Sequence, residues 1–196
     1  MTPNSPLRPF ARFCGSGVVL TMLLAAPLAA QDSELKKDVP YVPTPPEVVE
    51  AMMKLGKVSA GDIHYDLGCG DGRIVVTAVK QYGAKRGTGY DIDPERIKEA
   101  NENAKQAGVT DKAKFILGNL FEADFRDATV VTLYLLPDVN LRLRPKLLKD
   151  LKVGSRIVSH QFDMGEWEPD EKITLDWRTI YLWKVTEKSK AQFAAK

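Results

Sequence analysis

Apolar positions along this chain follow two alternating rhythms, and the alternation predicts the elements. Segments at Ile63–Leu67, 87–91, Ala113–Leu117, 128–136 and 155–160 are short and bounded by glycine, proline or polar clusters, as strands are. The fourth is β-branched and almost continuously apolar, the mark of a strand buried on both faces. Helical spacing intervenes between them. Thr44-Pro45-Pro46-Glu47 is a capping-box sequence with proline at the first helical position, and Val48, Met52 and Leu55 form one stripe before Gly56. That predicts a helix of about ten residues after Thr44. Ile74, Val75, Ala78 and Tyr82 recur on one face over 73–82. Asp93 before Pro94 is the natural N-cap of a helix over 94–107, closed by Gly108, which leaves Asp91 free. A shorter helix is expected within 141–151, starting near Pro145, and 173–176 with 179–185 read as a closing hairpin. Residues 188–196 read as a frayed tail.

Strands alternating with helices and ending in a hairpin predict an α/β fold with a Rossmann-like sheet, mostly parallel, whose C-terminal strands are antiparallel. A chain of 196 residues suits one such domain, placed at 44–187. The first thirty residues stand apart. Arg8 and Arg12 precede a nearly unbroken apolar run at 18–30 that ends in small residues, the layout of a signal peptide. The expectation is export to the periplasm with cleavage, or retention of the same segment as a membrane anchor, and Leu28 departs from the preferred cleavage pattern. Residues 31–43 are then a linker leading into a cofactor-covering segment. Of 28 basic residues two lie in the first thirty, which hold no acid, so the remaining 26 balance 26 acids. A neutral body gives no strong signal for nucleic acid. Cys14 falls within the first thirty residues and Cys69 stands alone beyond them. With two histidines and no H-E-x-x-H or C-x-x-C, no metal site is expected, and without G-x-S-x-G a hydrolase lacks support. The chain is expected to be a monomer.

The chemistry gathers in Tyr65-Asp66-Leu67-Gly68-Cys69-Gly70-Asp71-Gly72-Arg73, a glycine loop between a strand and a helix. Glycines there let the backbone turn tightly and approach a ligand. Asp91 lies nineteen residues past Gly72, at the end of the next strand, where a carboxylate accepts hydrogen bonds from the two hydroxyls of a ribose. The spacing is G-x-G-x-G, not the G-x-G-x-x-G of dinucleotide sites. Two carboxylates, Asp66 and Asp71, would repel a pyrophosphate and favour a ligand carrying an ammonium and a sulfonium. The loop resembles motif I of the class I methyltransferases that use S-adenosylmethionine.

Three further segments, Tyr41-Val42-Pro43-Thr44, Gly89-Tyr90-Asp91-Ile92-Asp93-Pro94 and Leu133-Tyr134-Leu135-Leu136-Pro137, sharpen the likeness. Together they resemble the lysine methyltransferases that modify the ATP synthase c subunit and the adenine nucleotide translocase of mitochondria, with their bacterial relatives, over residues 38–186. The resemblance implies a methyl transfer to a protein lysine. It implies that Gly68, Cys69, Gly70 and Gly72 hold the methionine portion of the cofactor, with Asp66 near its ammonium. Asp91 would take the ribose and Ile92 the adenine face, and Asn119, followed by Leu120, stands where many relatives carry an aspartate. Tyr41 and Thr44 would close the pocket, although Thr44 also reads as a helix cap. Tyr134, at the carboxyl end of the fourth strand, is the leading candidate for contact with the acceptor, and it also reads as a core tyrosine. Asp163 is a weaker candidate for receiving a proton through water, Asp138 reads as turn or cap, and His160 as structural. The strip Arg142, Arg144, Lys146, Lys149 and Lys152 reads as a solvated helix face, with anionic lipid or an acidic partner as the alternative. Competing functions are methylation of a small molecule or RNA, a non-catalytic cofactor-binding module, and a NAD-linked oxidoreductase.

Overall fold

A computed structural model of the chain describes residues 40–193. The proposed signal or anchor at 1–30 and most of the linker lie outside the described residues. Seven strands form one sheet: β1 Ile63–Leu67, β2 Arg86–Asp91, β3 Ala113–Leu117, β4 Val130–Leu133, β5 Arg156–His160, β6 Glu171–Leu175 and β7 Arg178–Lys184. Their order is β3-β2-β1-β4-β5-β7-β6. The first five are parallel, and β7 runs antiparallel between β5 and β6. The expected fold class is the observed one.

The helices are α1 Pro46–Leu55, α2 Arg73–Lys80, α3 Pro94–Ala107, α4 Pro137–Asp150 and α5 Glu187–Phe193. Residues of α1, α2 and α3, with Val48, Met52 and Val75 fully buried, form one core cluster. A second cluster joins α4 and α5 to Leu133, Ile157 and Trp183, whose indole nitrogen donates to the Trp167 carbonyl at 2.6 Å. Strand order reverses at β1, which has β2 on one side and β4 on the other. Such a switch point leaves a crevice beyond the carboxyl ends of the strands.

Several elements keep the boundaries read from the sequence, among them β1, β3 and α3, whose N-cap Asp93 accepts from the Glu95 amide at 3.0 Å. Others differ. β4 ends at Leu133, in register with Leu67, the last residue of β1, and with Ser159, one residue before the end of β5. The apolar residues Leu135 and Leu136 therefore leave the sheet and lead directly into α4. That helix starts at Pro137 and carries Pro145 inside it, eight residues earlier than expected. Leu136 supplies an extended N-cap and Pro137 a preset φ, so the helix begins without needing a later start. The tail is not frayed through residue 193. Ser189 and Thr186 cap each other, Phe193 is buried beside the Trp167 ring, and the Lys190 ammonium donates to the Leu148 carbonyl at 2.6 Å.

Candidate active site

A cavity of about 330 Å³ occupies the crevice at the switch point, large enough for a small cofactor. Its floor is the glycine loop between β1 and α2. Gly70 has φ +53°, and a Cβ there would stand 2.5 Å from the Tyr41 ring. Only glycine lets the loop lie flat against the covering segment. Gly68 and Cys69 also line the cavity, and their amides are held by the Tyr90 carbonyl at 2.8 and 2.9 Å. Gly72 does not line it. A Cβ at Gly72 would meet Phe115 and Ala100 at 2.6 to 2.8 Å, so its role is close packing of α2 against β3 and α3.

Asp91 closes one wall. One carboxylate oxygen accepts from the Gly70 amide at 2.8 Å and the other from the Asp93 amide at 2.9 Å. Each oxygen keeps lone pairs for a further donor, so a pair of ribose hydroxyls fits a carboxylate already fixed in place. Ile92, Leu120 and Phe121 give an apolar slot beside it. Asn119 lies at its edge, where its side-chain oxygen already accepts from the Phe121 amide at 3.0 Å. Tyr41, packed over Gly70, and Thr44 form the cover. Thr44 does not cap α1. Pro45 is the N-cap residue, and the Thr44 hydroxyl turns instead to His160 Nδ1 at 3.4 Å.

The loop carboxylates behave differently from the sequence expectation. Asp66 is 1% exposed and lies behind the loop without lining the cavity. Burial, reinforced by the charges of Asp91 and Asp71, pushes its pKa up to about 8 against the opposing hydrogen bond from Thr132, so it is mostly protonated near neutrality. Its Oδ1 accepts from the Thr132 hydroxyl at 2.7 Å, and that hydroxyl oxygen lies 3.0 Å from His64 Nε2. With the hydroxyl proton given to Asp66, His64 must donate from Nε2. His64 Nδ1 and Asp66 Oδ2 are left buried without partners. Asp71 does line the cavity, but Arg73 neutralises it. Burial opposes ionisation of Asp71, yet the guanidinium holds the carboxyl below its usual range. Arg73 Nε and one terminal nitrogen donate to Asp71, while the other nitrogen donates to the Thr44 carbonyl at 3.0 Å. The un-neutralised carboxylate of the cavity wall is Asp91, not the pair in the loop.

Arg73 thus ties the cover to the floor, and the Arg96 guanidinium lies over the Tyr41 ring, 4.5 Å from its centroid. Neither was singled out by sequence. Arg73 directly follows the glycine run and was available to that reading, whereas Arg96 meets a residue 55 positions away and has no local signal.

Tyr134 lines the cavity just past β4. Its ring centroid lies 3.9 Å from that of His160 and 6.4 Å from that of Phe162. His160 is 1% exposed, and burial, with the nearby charge of Arg178, lowers its pKa to about 4, so the imidazole is neutral near pH 7. Asp163 departs from expectation. It is exposed, does not line the cavity, and accepts from the Gly165 amide at 3.0 Å as a turn residue. Asp138 lies in the first turn of α4, where a carboxylate complements the helix dipole. The basic strip is not uniformly solvated either: Arg144 is buried, donating to the Met164 carbonyl at 2.8 Å, and Lys146 pairs with Asp150.

Comparison with known proteins agrees with this geometry. Residues 66–171 match the ANTKMT methyltransferase domain. Over 153 residues the chain is 50% identical to a protein-lysine N-methyltransferase of Saccharolobus islandicus, covering 76% of this chain and 95% of that protein. It is 35% identical to the mouse adenine nucleotide translocase lysine N-methyltransferase, covering 69% of this chain but 58% of the mouse enzyme. A crystal structure described as an RNA methyltransferase from Salinibacter ruber, in complex with S-adenosyl-L-homocysteine, superposes with TM-score 0.73 at 53% identity, covering 74% of this chain and 95% of that one.

Proposed function

The chain belongs to the ANTKMT methyltransferase domain family, and from that membership we propose that it transfers the methyl group of S-adenosylmethionine to the ε-amine of a lysine in a protein. The cofactor, when bound, supplies an electrophilic methyl on a sulfonium. Everything else falls to the chain: fixing the donor, admitting a neutral amine on axis, and excluding water. Asp91, fixed by the Gly70 amide, would hold the nucleoside end, the glycine loop would lie along the methionine portion, and Ile92 and Leu120 would exclude water from the base. Tyr41, clamped by Arg96 and packed on Gly70, covers the methionine end together with Thr44.

The observation that carries the acceptor assignment is the position of Tyr134. Tyr134 lines the cavity just past the end of β4, with β1 lying between that strand and β2, which ends in Asp91. A lysine ammonium is attracted to an aromatic face, and desolvation beside it lowers the amine pKa from its reference of about 10.4 toward the neutral form that reacts. With Asp163 turned away and His160 buried and neutral, the proton leaves to water. A second reading, methylation of RNA, is favoured by the description of the Salinibacter relative. Incubating the protein with methyl-labelled cofactor and a cell extract, then separating protein from RNA, decides between them: label on lysine supports the proposal, and label confined to RNA overturns it.

The same reading keeps residues 1–30 as a cleaved export signal or an inward-facing anchor, supported by Arg8, Arg12 and the apolar run at 18–30. Sequencing the mature N-terminus tests it, since an intact Met1 on membrane-bound protein rules out cleavage.

A further inference from the structure

His160 falls outside the cavity wall, yet it touches both ends of what the cavity needs. Its Nδ1 faces the Thr44 hydroxyl at 3.4 Å in the covering segment, and its ring lies against Tyr134 with centroids 3.9 Å apart and planes tilted by 35°. The backbone after it is unusual. The Phe162 amide donates to the His160 carbonyl at 2.9 Å across Gln161, whose φ is +71°. A bond from residue i+2 to i with positive φ at the middle residue is a γ-turn, a strained conformation for a residue bearing a Cβ. Strain of that kind persists only where surrounding contacts enforce it, and it gathers at functional sites. Here Gln161 is held from both directions by β7: its amide donates to the Thr179 carbonyl at 2.6 Å, and its side-chain oxygen accepts from the Thr179 amide at 3.2 Å. With the turn held, His160 and Phe162 both meet the ring of Tyr134.

Taking the lysine reading of the site as its basis, the geometry points to His160 as a positioning residue that fixes the Tyr134 ring at the acceptor end and ties it, through Thr44, to the segment covering the cofactor. The side-chain chemistry suits that role. A neutral imidazole offers a flat face to Tyr134 and a polar edge to Thr44, and it adds no positive charge that would repel the sulfonium or an incoming lysine ammonium. Phenylalanine would keep the face and lose the edge, whereas asparagine would keep the edge and lose the face.

Those two replacements separate the roles. In His160→Asn the Tyr134 ring is expected to flip faster than in wild type, read by NMR of ring-labelled tyrosine, and kcat to fall about tenfold, the scale expected when a reacting group is slightly misplaced. In His160→Phe the slow flip is kept and kcat falls roughly threefold, and Thr44→Val lowers kcat less in that background than in wild type because the shared tie is already cut. Affinity for S-adenosylhomocysteine and the melting temperature change little in the single His160 variants. An unchanged ring flip in His160→Asn overturns the inference, as do multiplicative losses in the double variant or a loss of activity that merely follows lost folding or cofactor affinity. The ring-flip comparison needs no acceptor. A wild-type enzyme that methylates no lysine therefore refutes the lysine reading without deciding this one.

Discussion

At the scale of single residues, the account turns on which carboxylates are charged. Asp91 fixes the loop through two backbone amides while keeping lone pairs for a ligand. Asp91→Asn removes the charge and one acceptor, and S-adenosylhomocysteine affinity measured by calorimetry should fall by about 2 kcal/mol, or roughly thirtyfold. Asp66 should behave in the opposite way. Its folded pKa lies well above that of a free aspartate, so its neutral form is the one compatible with folding. The stability it allows is complete below about pH 4 and declines as pH rises toward 8. Asp66→Asn mimics the protonated acid and keeps an acceptor for Thr132. Its melting temperature should match or exceed wild type at pH 8 by several degrees and lose the advantage at pH 5. S-adenosylhomocysteine affinity should stay within a few-fold of wild type. A hundredfold loss would mean that the carboxylate itself is required. The sequence placed Asp66 and Asp71 at the loop but could not show that one is buried behind it and the other paired with Arg73, because ionisation depends on neighbours the fold supplies.

Among the elements, those with local signals at both ends were legible. α3 has Asp93 and Pro94 at its start and Gly108 at its end, and each does in the structure what its chemistry predicts. α4 has Pro137 at its first position but no side-chain cap there and no glycine at its end. Its apolar approach, Leu135-Leu136, continues the pattern of β4, and only the register with β1 and β5 shows where the strand stops. Pro145 then sits in the helix interior, where it cannot donate to the Leu141 carbonyl. Pro145→Ala restores that bond and should raise the melting temperature by a few degrees, since an interior proline costs up to about 3 kcal/mol relative to alanine. An unchanged or lower value would show that packing around the proline ring outweighs the missing bond. α5 was missed because five of its seven residues are polar and its stability comes from docking. Phe193 is buried against Trp167 and beneath the Arg144 guanidinium, 5.4 Å from the ring. Phe193→Ala should therefore destabilise the protein by about 3 kcal/mol in a denaturant titration, within the range for losing a buried aromatic. A change under about 0.5 kcal/mol, typical of exposed positions, would mean that the helix contributes nothing to the core.

For the whole molecule, the sheet order sets where chemistry is possible. Reversal at β1 opens the crevice, where Asp91 and Tyr134, from the strands on either side of β1, both line the cavity, and β7 running antiparallel brings its first residues beside the end of β5. Fold class and cofactor were legible from the glycine run and the strand and helix rhythm. The protein-lysine acceptor and Tyr134 as its leading contact were legible through the family resemblance, whereas the packing of His160 and Phe162 on that ring was not, because those contacts cross from the end of β4 to the end of β5. The central claim is methyl transfer to a protein lysine, and mass spectrometry of proteins incubated with the enzyme and isotopically labelled S-adenosylmethionine tests it most directly. The account predicts labelled methyl groups on lysine ε-amines, lost with Asp91→Ala and strongly reduced with Tyr134→Ala. Labelled RNA with unlabelled protein, or lysine labelling that persists in both variants, would contradict it.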